Sequence, residues 1–544
     1  MGKAPPADPS QIVAPQKQRQ LSYYVFLCAV IVPLCCSVPL SWVYVIYVLR
    51  SGLVWHLSWT TLFWFSAALC EVFFSAWHFQ MAQFVVASRP NLRAGNLALP
   101  QNTFGRVLQA GMAPLLEAGY DLENGQESYP GSPGEDIVRL RYDDPRAVDF
   151  RNYTRTWFGG VAWNQIHQHE LWRWIYWMTF NLPLPPYDAI PAAHRAVLTQ
   201  TQQLIEMRAG ARFPRGSDPR VKPMLLNLDR ANCSAYRPFA WYAGVALGDW
   251  AVRRVYAWKY DTHYGRRGAF EYLLRLPKKW NNKTGERPVV FWHGLGLGVL
   301  MYKGFITNIL DKFPDRPVLV PLQPHISQQV FHPRFLEPLT PRETADALAG
   351  VLAELGWVGK GGEGEGEGSD SGIEMDGAEG AERGVTMVSH SNGTYAHAWM
   401  LKAHPHLVAR SCFIDPVTFC VWEGDVCNNF LYRSCLTGMA LLMRYLIATE
   451  LGTANTLQRH FDWASNGLFY EQIPAPRDAR RTLYVVAGKD GILNARRVQR
   501  YLTSHGVREG KGEALHFDER ARHGDALQPG HRCCKRVVEW LREQ

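Results

Sequence analysis

Cysteine is scarce and poorly spaced for cross-linking: 11 residues in 544, with no pair at zinc-site spacing. That excludes a disulfide or zinc scaffold and fits reduced thiols in a domain facing the cytosol. The 46 Gly and 34 Pro follow no collagen-like period, and 20% charged against 47% hydrophobic residues excludes a largely disordered chain. A net charge of +9 without a localised basic stripe or a recognised motif argues against a nucleic-acid partner. The most telling absence is at the N-terminus, where no charged residue occurs from Leu21 to Leu49.

What fills that gap is apolar and long. Arg50 interrupts the run, Ser51 to Cys70 is again uncharged, Glu71 is a single acid, and Val72 to Val86 continues apolar. A bilayer core takes about 20 apolar residues, so the pattern predicts a membrane anchor over 21–88, with helices near 22–48 and 55–86. A cleaved signal peptide would have a shorter apolar region; a buried helix pair is the competing reading. Pro33 and Pro39 kink the first helix or make a shallow re-entrant hairpin. Lys17 and Arg19 precede the hairpin, Arg89, Arg93 and Arg106 follow it, and only Arg50 lies between. This arrangement predicts both ends, the 1–20 tail and the catalytic region, on the cytosolic side of a lipid bilayer. The endoplasmic reticulum is the membrane considered first.

Residues 89–264 read as an aromatic-rich helical connecting region. Its densest part, Trp157 to Phe180, predicts a helix from about residue 161, with a third membrane-associated helix as one option. His167, His169, Glu170 and Arg173 favour a buried or interfacial amphipathic helix. His167 and His169 point to different helix faces, which suits solvated or core histidines better than a metal site. Gly359 to Gly384 holds eight acids against Lys360 and Arg383, a charge of −6 that leaves about +15 on the rest. So polar a segment predicts a disordered acidic insertion at 359–384.

The C-terminal half alternates strand and helix patterns, which predicts a parallel sheet covered on both faces. Strands are expected at 270–276, 288–292, 318–322, 385–389, 410–415, 482–487 and near 514–517. Helices are expected near 299–312, 341–355, 394–403 and 529–542. In Ser389-His-Ser-Asn-Gly393, a β-branched strand turns through Ser391 into a helix. Such an elbow strains the serine backbone and needs small residues two positions either side. Ser389 stands where Gly is usual, a departure that keeps the side chain small. Helix N–H groups and the turn His293-Gly-Leu-Gly296 would then face a developing oxyanion, with the N–H of Leu295 and of Asn392 as donors by position. The same glycines fail as a dinucleotide loop, because residue 299 is Val.

A nucleophilic serine needs an acid and then a base downstream. Asp490, in Gly488-Lys-Asp490, and His523, in His523-Gly524, stand in that order, 33 residues apart. Asp415 at the end of its own strand is the alternative acid, and His516 the alternative base. These motifs together resemble the α/β-hydrolase superfamily over 265–544. They also resemble its membrane-tethered fungal and algal members that carry a long N-terminal extension. The resemblance implies an eight-stranded, mostly parallel sheet flanked by helices, a helical lid at 419–475, and a serine hydrolase mechanism with no cofactor or metal. It implies hydrolysis of a carboxylic ester, and the adjoining anchor points to a hydrophobic, lipid-like one. Acyl transfer by the same triad, and a membrane scaffold that keeps the fold without turnover, are the alternatives. A transporter needs more spans than the remaining 450 or so residues provide.

Overall fold

The computed structural model describes residues 8–13, 15, 17–88, 139–233, 235–358 and 384–543. The acidic insertion falls outside them but for Gly384, as does most of the 89–160 stretch. The strands are β1 (Thr262–Arg267), β2 (Phe270–Arg275), β3 (Val289–Trp292), β4 (Val318–Leu322), β5 (Val385–His390), β6 (Val408–Ile414), β7 (Thr482–Ala487) and β8 (Leu515–Asp518), of which β3 to β7 are largely buried. They form one sheet in the order β1-β2-β4-β3-β5-β6-β7-β8. The pairs β1–β2 and β2–β4 are antiparallel and the others parallel. Alternate residues of β3 feed opposite faces, Val290 and Trp292 into one core and Val289 and Phe291 into the other. β1 escapes the sequence pattern because Thr-His-Tyr-Gly-Arg-Arg is a polar edge strand, exposed at most positions. The sheet therefore begins at residue 262.

The helices are α1 (Leu21–Arg50), α2 (Trp59–Ala87), α3 (Pro145–Thr154), α4 (Gln168–Phe180), α5 (Ala192–Ala209), α6 (Phe239–Tyr260), α7 (Val299–Lys312), α8 (Pro341–Glu354), α9 (Gly393–Ala403), α10 (Gly438–Ala448), α11 (Leu451–Arg459), α12 (Ala495–Ser504) and α13 (Arg532–Arg542). The helix expected from residue 161 starts seven residues later. The Gln165 side chain accepts from the Ala162 N–H in a tight turn, and Ile166 is extended. α4 is no membrane helix, since Trp172, Trp174 and Trp177 are buried within the protein. Within the 89–264 region, residues 150–226 share one core with the sheet and the 419–475 segment, while Tyr242 and Tyr256 of α6 belong to two others. Trp157 Nε1 donates to Trp422 O at 2.8 Å, and Trp463 Nε1 to Met178 O at 2.7 Å.

α1 and α2 are both long and apolar enough to cross a membrane. They pack antiparallel through Val45, Val48, Phe65, Ala68 and Val72. Their connecting turn carries Trp55 and Trp59, exposed at 86% and 88%. The other end of the hairpin is built into the protein. Gln20 N donates to Leu436 O and Gly438 N to Ser22 Oγ. The lone acid Glu71 accepts from Tyr236 OH and from Phe239 N, both at 2.8 Å, so it caps the first turn of α6. Arg459 at the end of α11 donates to Val85 O and to the carbonyls of Asn227 and Asp229.

Candidate active site

The chain leaves β5 at His390 and enters α9 at Gly393, which puts Ser391 on a sharp turn with φ of 51°. This left-handed backbone is costly for a side-chain-bearing residue and is seen where the surroundings enforce it. Ser391 N donates to Ile414 O, and Thr394 N donates back to Ser391 O. Gly393 is required by proximity: a Cβ there would lie 2.5 Å from Trp292 O. Ser389, the departure from the usual glycine, has a partner of its own. Its hydroxyl lies 2.8 Å from Nδ1 of buried His397 on α9, whose Nε2 lies 3.1 Å from Ser411 Oγ on β6. The elbow is thus tied to the helix it launches and to the neighbouring strand.

Ser391 Oγ lies 2.9 Å from His523 Nε2, and His523 Nδ1 donates to Asp490 Oδ2 at 2.6 Å. The other Asp490 oxygen accepts from Ile492 N and Leu493 N, which fixes the carboxylate on the loop after β7. Burial pulls the His523 imidazole down, but the Asp490 charge, with Asp415 beyond it, outweighs this and lifts its pKa to about 9. The structure therefore brings Ser391, His523 and Asp490 into one hydrogen-bonded line. Leu295 and Asn392 flank it: a Cβ on Gly294 would lie 3.0 Å from Ser391 Cβ. Neither the Leu295 nor the Asn392 N–H donates to another group among the described residues.

Asp415 does not hold the base. Its carboxylate accepts from Ala487 N at 3.1 Å and from Gly524 N at 2.7 Å. Fully buried after β6, it clamps the end of β7 to the residue following His523. Burial raises its pKa, but His390, His523 and the Gly524 N–H prevail, so it sits below the usual carboxylate range. His516 lies in β8 and, among the described residues, makes no hydrogen bond to Ser391. It converges with Asp518 and Cys533, where the Arg532 guanidinium on Asp518 opposes a cation. His167 is half-buried with Nδ1 against Arg215 O, and all eleven cysteines are unpaired.

The sequence reading missed a second line of groups. Tyr302 OH on α7 accepts from Gly294 N at 2.9 Å and lies 2.9 Å from His390 Nδ1. His390 Nε2 is 3.6 Å from Asp415 Oδ2. This line joins the Gly294 turn to the His523 loop behind Ser391. Burial keeps His390 below its ordinary pKa, which favours a neutral ring between two loops. The available signal was a histidine beside Ser391 and a lone tyrosine on the helix that follows the Gly294 turn. The pairing spans 88 residues.

A sheet in which β3 to β8 run parallel, with a serine elbow after β5, an acid after β7 and a histidine after β8, has the α/β-hydrolase fold. No family model matches the chain, and no curated protein matches its sequence. Solved structures similar to it include carboxylesterase CesB of Bacillus subtilis. That match has 12% identity and a TM-score of 0.32, covering 55% of this chain and 98% of that one. A membrane phospholipase A described as a bacterial virulence factor matches at 15% identity and 0.33, over 56% and 94%. Naproxen esterase of Bacillus subtilis matches at 13% and 0.35, over 55% and 96%.

Proposed function

We propose that this protein is a membrane-anchored serine hydrolase that cleaves a hydrophobic carboxylic ester through an acyl-enzyme. The observation carrying this is the Ser391–His523–Asp490 line, 2.9 and 2.6 Å, on a strained nucleophile elbow. His523 Nε2 takes the Ser391 proton as Oγ attacks the ester carbonyl, and Asp490 steadies the imidazolium. The N–H groups of Leu295 and Asn392 stabilise the oxyanion. Collapse of the intermediate breaks the ester C–O bond, and the leaving alcohol takes the proton from His523. Water then attacks the acyl carbonyl while giving His523 a proton, which returns to Ser391 as the acid departs. Asp415 and Tyr302 position the two loops and touch no reacting atom. The apolar α1–α2 hairpin inserts in a lipid bilayer with both of its ends on one face, and the catalytic domain lies on that face.

Labelling by a fluorophosphonate tests the reading. The detergent-solubilised chain is expected to take one equivalent, lost in Ser391→Ala and in heat-denatured protein. Absence of label on the parent chain, or label that survives Ser391→Ala, refutes it in favour of a non-catalytic scaffold.

A further inference from the structure

A cleft of about 1060 Å³ reaches Asn392, the residue after Ser391, and its walls come from both the sheet domain and the α1–α2 hairpin. Its polar end is formed by Asn392, the residue after the nucleophile, with Gln323 and His325. Burial holds His325 neutral, its pKa brought down to about 3, with the Arg334 charge nearby adding to the shift. Its far wall is the C-terminal half of α2, through Trp77, Met81 and Phe84. Trp77 stacks on Phe331 at 6.2 Å and 4°, and the pair bridges α2 to the loop that follows β4. Phe84 is 65% exposed and Phe331 51%, so the apolar end of the cleft opens at the outer surface of a helix of membrane-spanning composition.

We propose that this cleft takes the hydrocarbon chain of a long-chain ester drawn sideways from the bilayer, with α2 as part of the binding site. The inference rests on Ser391 being the nucleophile. It goes further by placing the chain of the substrate against the hairpin and away from the 419–437 segment. The volume sits at the upper end of ligand pockets, about 300–1,000 Å³, which suits a chain of lipid length more than a short ester. The walls run from Asn392 to Trp77 and Phe84 on α2, and the charged side chains Arg334, Glu337, Glu343 and Arg459 share the lining. A chain that passes from lipid to an apolar wall exchanges one apolar surface for another, so little net hydrophobic gain accompanies the transfer. The cleft then selects by reach, since a chain seated against Trp77 and Phe84 sets where the carbonyl falls relative to Ser391.

The test uses the full chain in phosphatidylcholine vesicles and a hexadecyl fluorophosphonate with a diazirine at the chain end. The probe is allowed to react, the vesicles are irradiated, and the cross-linked peptides are mapped by mass spectrometry. The expected result is an adduct on Ser391 with cross-links on peptides containing Trp77, Met81, Phe84 or Phe331. An adduct on Ser391 whose cross-links fall only elsewhere in the protein, or only on lipid, overturns the cleft while leaving the nucleophile intact. No adduct on Ser391 overturns the hydrolase reading and the cleft with it.

Discussion

Asp490→Asn removes the charge that faces His523 while keeping the side chain's shape, and its effect should depend on pH in a specific way. In the parent, the imidazole holds its proton to about pH 9. Without the carboxylate, burial would return it to its ordinary 6.5 or below, a loss of about 300-fold, or roughly 3.4 kcal/mol, in imidazolium stability. The transition state contains the imidazolium, and below pH 6.5 so does the resting parent enzyme. There the charge stabilises both and cancels from the rate, leaving only the cost of losing the oriented tautomer. Above pH 9 the resting ring is neutral and the full electrostatic loss appears. The parent-to-variant ratio of kcat/KM should therefore climb by about 300-fold in all, from a low plateau below pH 6.5 to a high one above pH 9, approaching tenfold per unit mid-range. Parent activity alone should rise with pH to a plateau near 9. The assay is hydrolysis of a short p-nitrophenyl ester by detergent-solubilised protein from about pH 6 to 10, corrected for the spontaneous rate. A ratio that stays flat across the range would show that Asp490 does not act on the base through its charge, and Asp415 would regain its candidacy.

Three further outcomes follow from contacts around the site. Ser389→Ala leaves Nδ1 of buried His397 without its partner and should destabilise the protein by about 1–3 kcal/mol; an unchanged thermal midpoint would mean that the hydroxyl does not tether the elbow. Tyr302→Phe frees the Gly294 N–H and the His390 ring, so kcat should fall about tenfold, roughly 1.4 kcal/mol of oxyanion alignment. KM should stay the same, and an equal change in both constants would place Tyr302 in substrate binding. Removal of residues up to 88 strips α2 from Phe335, Tyr242 and Leu451 and leaves Arg459 without its Val85 acceptor. Such a fragment should bind a hydrophobic dye and lose cooperative melting, and a sharp melt at the parent temperature would show that the hairpin is a detachable tether.

Sequence legibility tracked how local each signal was. The elbow reads directly, since the small residues at 389 and 393 answer a steric demand within five positions. Strands β3 to β7 read from β-branched runs that are buried on both faces. Asp490 and His523 read from chain order, yet order alone left Asp415 open, because both acids end strands that meet the same edge. What separates them is which carboxylate oxygen the imidazole reaches, and that depends on Gly524 N turning Asp415 away. β1 stayed hidden because its pattern is polar, and α6 because aromatic residues on every side mask a helical period. Glu71 stood out as one acid in an apolar run, but its role needs α6, whose first turn lies 168 residues away.

The same long-range contacts limit how the 419–475 segment behaves as a lid. A hinged flap would leave the body of the protein through its free edges, and this segment has few. α10 starts on the first turn of α1 through Leu436 O and Gly438 N. Glu450 accepts from Tyr242 OH, and Arg459 donates to four carbonyls outside its own helix. Hydrogen bonds that involve a charged group contribute about 1.5–3 kcal/mol each, so lifting α10 and α11 together would break several at once. Movement that keeps these contacts must carry the α1–α2 hairpin along with the lid. In a bilayer the hairpin is held by its apolar surface, so tilting it costs more than opening a surface loop would. Under the proposed cleft, a chain entering along α2 would pass Trp77, Phe84 and Phe331, the last two largely exposed. The contacts therefore favour a static roof with a lateral entrance over a lid that swings open to water.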